Sequence, residues 1–216
     1  MTNAAILAED PGLRAAVAVS VARAIEAPAD WPEAFDTLLR TSFTPFDPAL
    51  RDPADALADA VGHATASPEA ALETTVRHTR IFIGPPHALV MPVASEWRPL
   101  DPLAPTALLE KCGAAYAEAG LDLSTSVMPV DHAVVQFEFL HYLAWNEAAA
   151  EDADDAEVWT LRQSRFWTQH MAPWLPEMAQ ALVDETRKDP VYAPSADLLA
   201  AVTKALDEAL QEPLAA

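Results

Sequence analysis

Glu138 and His141 stand in E-x-x-H spacing, which sets a carboxylate and an imidazole on one face of a helix. Helical di-iron proteins ligate metal with that spacing, but they use it twice and add two further glutamates. No second E-x-x-H occurs in this sequence. Cys112 is the single cysteine, and LLEKCGAAY places it in a helical pattern as a small packing residue. It has no partner for an internal disulfide, which fits a reducing compartment. G-x-G-x-x-G, the P-loop, H-E-x-x-H, paired C-x-x-C and G-x-S-x-G are all absent. The phosphate cradles, zinc sites and nucleophile elbow that those patterns build are therefore not expected. The residues predict a protein that is not an enzyme and carries no cofactor or metal.

The remaining polar residues of interest interrupt an apolar segment, DHAVVQFEFLHYLAWN, at 131–146. Its apolar character on almost every side predicts a helix central to the fold. A carboxylate or amide buried there must be capped, paired or open to a groove. His132 and Gln136 share one face by their spacing of four, and Asp131, Glu138 and Tyr142 share a neighbouring one. Asp131 is expected to cap this helix, with His132 bonding backbone in the preceding loop. The same groups are candidates to line a cleft and present acceptors to a cationic peptide.

The elements that must position them are helices. The 216 residues include only 5 glycines, with abundant alanine and leucine and almost no strand-like alternation. An all-α fold follows. Helices are predicted near 11–27, 32–41, 53–65, 68–82, 103–119, 131–148, 156–171, 174–187 and 194–210. Asp30 with Glu33, Ser67 before Pro68, and Ser195 are expected as starting caps. Two segments break the pattern. Residues 84–102 are too rich in proline for a helix and too apolar for a free linker, and predict an ordered loop or binding surface. Trp97 lies in this loop with nothing periodic around it. Residues 147–157 carry six acidic side chains and no basic one. The expected organisation is an N-terminal helical portion (1–146), an acidic hinge or connection (147–157) and a C-terminal helical portion (158–216), sharing one continuous core.

The formal net charge of −20 repels nucleic acid and anionic lipid. No basic n-region with an apolar h-region opens the chain, and no stretch is long and apolar enough to span a membrane. A cytoplasmic protein is expected, either a monomer or a dimer that exchanges its C-terminal half through the acidic connection.

Three segments together resemble the TorD/DmsD family of redox-enzyme maturation chaperones, within the wider NarJ-like group. TRIFIGPPHALVMPVASEW is similar to the family's R-L-F-x-G-P run and following loop through Arg80, Phe82, Gly84, Pro85, Pro92, Ser95 and Trp97. MPVDHAVVQFEFLHYLA is similar to its P-x-D-H step through Pro129, Asp131 and His132, followed by Glu138, Phe139 and Leu140. HMAPWLPEM is similar to H-x-x-P-W-x-P through His170, Pro173, Trp174 and Pro176. The chain departs from the pattern at Arg77, Val93 and Val127. The resemblance implies an all-α chaperone that binds the twin-arginine leader of a molybdenum-containing oxidoreductase and delays its export until the cofactor is inserted. The peptide-binding residues would be Phe82, Gly84, Pro85, Pro92, Ser95, Trp97, Asp131, His132, Gln136, Glu138 and Tyr142. The leader's arginines would meet Asp131, Glu138 or the run 147–157, and its apolar middle would meet Phe82, Pro92 and Trp97. The competing readings are a helical scaffold or regulator with an unrelated partner, and a metal-dependent helical enzyme.

Overall fold

The computed structural model describes residues 1–84, 87–98, 104–123 and 125–211. These contain eleven α-helices and no strand: α1 (Asn3–Glu9), α2 (Pro11–Ala24), α3 (Phe35–Phe43), α4 (Pro48–Ala64), α5 (Pro68–His78), α6 (Ala94–Trp97), α7 (Ala104–Glu118), α8 (Ala133–Ala148), α9 (Ala153–Phe166), α10 (Leu175–Thr186) and α11 (Tyr192–Leu210). The all-α expectation holds. No helix among the described residues is long and apolar enough to cross a membrane.

The apolar segment at 131–146 is indeed the central helix. α8 buries Ala133, Val134, Val135, Phe137, Phe139, Leu140, Leu143 and Ala144. It packs along α2 on one side and α9 on the other. α2 can approach closely because its buried residues are small: Ala15, Val17, Ala18, Val21, Ala22 and Ala24. α3 pairs with α4, α10 pairs with α11, and α11 runs back across α4, α1 and α2. The buried apolar cluster therefore extends from Leu7 to Leu210 and takes in residues from both halves of the chain.

A buried cation joins those halves. Arg14 on α2 is 1 % exposed. Its guanidinium donates to Gln163 Oε1 on α9 (2.7 Å), to Glu147 Oε2 on α8 (2.5 Å) and to the carbonyl of Leu7. Such a group is tolerated in a core only when every donor is directed at an acceptor. Glu147 thus belongs to the core network, and the connection between α8 and α9 shortens to 149–152. Asp152 closes it by accepting from Asp155 N.

Several helix ends differ from expectation for identifiable reasons. α1 was not expected; Thr2 caps it by accepting from Ala5 N. α4 starts at Pro48, five residues early, because Asp47 caps it with proline at the first helical position. Ser67 caps α5 as expected, accepting from Ala70 N. Asp30 caps nothing: Pro28–Asp30 is a 3₁₀ turn, and α3 begins after Ala34, whose φ of 58° turns the chain into the helix. Ser195 lies inside α11, and Asp189 instead satisfies its first turn by accepting from Val191 N and Tyr192 N. The helices expected at 68–82 and 156–171 each finish in a π turn, Thr79–Ile83 and Trp167–Met171.

Candidate functional site

The site is built from one strap and one step. The strap is Pro92–Trp97, which contains α6. The step is Asp131–Ala133, the entry to α8. The two run antiparallel and are laced by backbone bonds, Ala94 N to Asp131 O (3.1 Å) and Ala133 N to Pro92 O (2.8 Å). α6 has no side-chain cap of its own. Asp131 supplies one from 36 residues downstream: its Oδ2 accepts from Ser95 N at 2.9 Å. Asp131 is 1 % exposed. The cap of α8 is His132, whose Nδ1 accepts from Val134 N at 3.2 Å. The expected roles of Asp131 and His132 are thus exchanged. The aspartate reaches the loop and the histidine caps the helix.

Around this clamp, Trp97 is half-buried on α6 rather than in an irregular loop, and its Nε1 donates to Met91 O at 2.6 Å. That bond folds residues 91–97 into a closed turn. Tyr116 donates to Val130 O at 2.7 Å and fixes the step from below. Upstream, the π turn at 79–83 ends on Gly84, whose N–H donates to Thr79 O at 2.6 Å. A Cβ on Gly84 would lie 2.9 Å from His87 O and 3.0 Å from Arg80 O, so only glycine fits. π turns of this kind recur where a helix must re-aim side chains. Here Phe82 turns inward against His78 and Tyr192, while Ile83 turns outward.

Burial decides what each expected residue can touch. Phe82, Gly84, Pro92, Asp131 and Gln136 are buried and shape the site from within. Gln136 donates to Cys112 Sγ at 3.8 Å, and its Oε1 has no partner among the described residues. Ser95, Trp97, His132 and Tyr142 are half-buried. Tyr142 donates to Ala119 O at 3.2 Å. Glu138 is engaged by Arg23, which also holds Glu26. His141 Nδ1 meets Ala15 O at 2.9 Å, so the E-x-x-H pair is directed at two different neighbours. No group of three or more potential metal-ligating side chains occurs among the described residues. Pro85 lies outside the described residues.

What the sequence did not reveal is the outer surface of the site. Leu72 and Val76 on α5, Ile83 on the π turn, and Leu89 and Met91 on the strap's approach are all exposed, the first three by 65 %, 61 % and 64 %. Val76 and Leu89 line a cavity of about 440 Å³ with Thr75, Thr79, Arg80, Gly84 and His87. Glu69 and Glu73 are exposed on α5 at the spacing that flanks Leu72 and Val76. A contiguous exposed apolar patch with a polar rim is a surface on which partners dock.

The electrostatics under the strap are those of a dry site. Burial pushes the His132 imidazole down to about 4, against the opposing pull of Asp131. The neutral ring is the form that can accept from Val134 N. Burial also lowers His78 and His170 and raises the Cys112 thiol to about 11, leaving it protonated and unreactive. Cys112 Sγ lies 3.4 Å from His170 Nδ1, and Trp174 donates to His170 O at 2.7 Å. The third motif is therefore packed beneath the first two.

Comparison with protein families returns a match to the nitrate reductase delta subunit family over residues 44–180. The chain belongs to that family. The matched span holds α5, both π turns, the strap, the step and α8, which is the whole of the site. Members of the nitrate reductase delta subunit family are chaperones of molybdoenzyme maturation rather than catalysts, and the partner is of the molybdoenzyme kind. Neither the curated proteins nor the solved structures contain a match to the chain.

Proposed function

We propose that this protein is a cytoplasmic chaperone of the TorD/DmsD type that binds the twin-arginine leader of a molybdenum oxidoreductase and holds the enzyme until its cofactor is inserted. The observation that carries this reading is the set of exposed apolar side chains Leu72, Val76, Ile83, Leu89 and Met91 on α5, the π turn and the approach to the strap, two of which line one cavity, all inside the family match. An apolar leader segment fits such a surface in a helix-in-groove mode. Phe82 and Pro92 are buried, and Trp97 is tied to the backbone of Met91, so the exposed side chains make the contact.

The basic end of the leader needs carboxylates that are free. Asp131 is buried under the strap, Glu138 is held by Arg23, and of the run 147–157 Glu147 is held by Arg14 while Glu151, Asp152, Asp154, Asp155 and Glu157 stay exposed at the start of α9, away from α5 in the chain. Glu73 stands exposed beside Leu72 and Val76 and takes an arginine in this reading, joined by the exposed Glu69, whose carboxylate also accepts from Ser67. Titration with synthetic twin-arginine leader peptides tests it. Val76→Ser with Leu89→Ser should weaken binding at least tenfold without changing its salt dependence. Glu69→Gln with Glu73→Gln should weaken it and flatten the salt dependence. Unchanged affinity in both double variants removes these side chains from the binding surface.

A further inference from the structure

We infer that α9 is a self-complementary docking surface that pairs two copies of this chain. Four exposed residues of α9, Asp154, Val158, Leu161 and Arg165, follow one another at spacings of four, three and four. That places them in one stripe, as in the seam of a coiled coil. Val158 and Leu161 are 46 % and 41 % exposed, although apolar. The stripe is acidic at one end, apolar in the middle and basic at the other.

Such an order is complementary to its own reverse. When a second α9 lies antiparallel, Asp154 meets Arg165 of the partner subunit, Val158 meets Leu161 of the partner subunit, and each contact recurs about the two-fold axis. Asp155 and Arg162 flank the stripe on one edge and become opposed in the same arrangement. This is the pattern of an isologous interface, in which one patch matches itself.

Two further features support it. Arg162 and Arg165, like Arg51, Arg80 and Arg98, have no ion pair among the described residues, and they are the two that lie on α9. In a chain of net charge −20, most faces repel a second copy, and this stripe is one that carries its own counter-charge. Arg162 is held over the Trp159 ring at 4.5 Å, which fixes its stem and leaves its N–H groups open. The stripe also borders a groove of about 690 Å³ with Phe139 and Phe166 as its floor and Ala115 and Glu118 of α7 as its far wall. A neighbouring helix has room to seat there. The contact is small and opposed by the overall charge, so the dimer should be weak and reversible.

Sedimentation equilibrium of the full chain over a wide concentration range tests this. The mass should rise from 23.2 kDa toward twice that value. Arg162→Glu with Arg165→Glu, and separately Asp154→Arg with Asp155→Arg, should each remain monomeric while keeping the helical circular-dichroism signal. An equimolar mixture of the two should regain dimer, at least as tightly as the wild type. A wild type that stays monomeric at millimolar concentration, variants that dimerise unchanged, or a mixture that does not associate would each overturn the inference. A monomer throughout would leave the stripe to a partner of another kind.

Discussion

Acidification should loosen the strap through one histidine. His132 caps α8 by accepting from Val134 N, and only a neutral ring with Nδ1 unprotonated can do so. Burial holds its folded pKa at about 4, against an ordinary value of 6.5. A folded value below the unfolded one means that the unfolded chain binds more protons between those limits. The stabilisation is therefore complete above pH 6.5 and is lost as the pH falls toward 4. The full gap corresponds to about 3 kcal/mol, of which about 2 kcal/mol is lost by pH 5. That is a large part of the ~5–15 kcal/mol by which domains are stable. His132→Asn isolates the effect, because asparagine caps a helix without titrating. Urea denaturation at pH 7.5 and pH 5, followed by circular dichroism, should show the wild type losing about 2 kcal/mol more than the variant. His78 and His170, also lowered by burial, act in the same direction but are present in both proteins. Parallel losses in the two proteins would refute the assignment of His132 as a neutral cap.

Other perturbations have equally definite outcomes. Asp131→Ala leaves Ser95 N–H without its acceptor and should cost about 1–3 kcal/mol by chemical denaturation, with faster hydrogen exchange at residues 94–97. Gly84→Ala drives a methyl into two backbone carbonyls and should cost about 1–3 kcal/mol, read as a lower thermal midpoint. Arg14→Met removes the cation paired with Glu147, leaving that carboxylate only the Gln163 amide, and should cost about 3–5 kcal/mol in the same denaturation assay.

Much of the fold was legible because α8 carries its burial in its composition, and because Ser67 and the prolines mark helix starts. The misread parts depend on partners far away in the chain. α6 is four residues long with no cap of its own, and it exists because Asp131 reaches back across 36 residues. No local rule separates that role from capping the next helix, so Asp131 and His132 were exchanged. Glu138 and Glu147 read as free acceptors, since nothing in their own segments announces Arg23 or Arg14. Pro92, Ser95, Trp97, Asp131 and His132 do come together in the strap and step, whereas Glu138 and Tyr142 bond to Arg23 and Ala119 farther along α8. Several of the motif residues are the site's buried frame, while the outward side chains are Leu72, Val76, Ile83 and Leu89, whose exposure follows from how α5 and the π turn pack. The π turns themselves are invisible to a 3.6-residue pattern, because each inserts a single residue into a ladder that otherwise continues.

The most direct test is capture of the tagged protein from anaerobically grown cells of its source, with mass spectrometry of the bound proteins, performed for wild type and for Val76→Ser with Leu89→Ser. The account predicts that the wild type recovers a molybdenum oxidoreductase precursor with its leader intact, and that the variant recovers at least tenfold less. A precursor retained equally by the variant, or no molybdoenzyme at all, would contradict it.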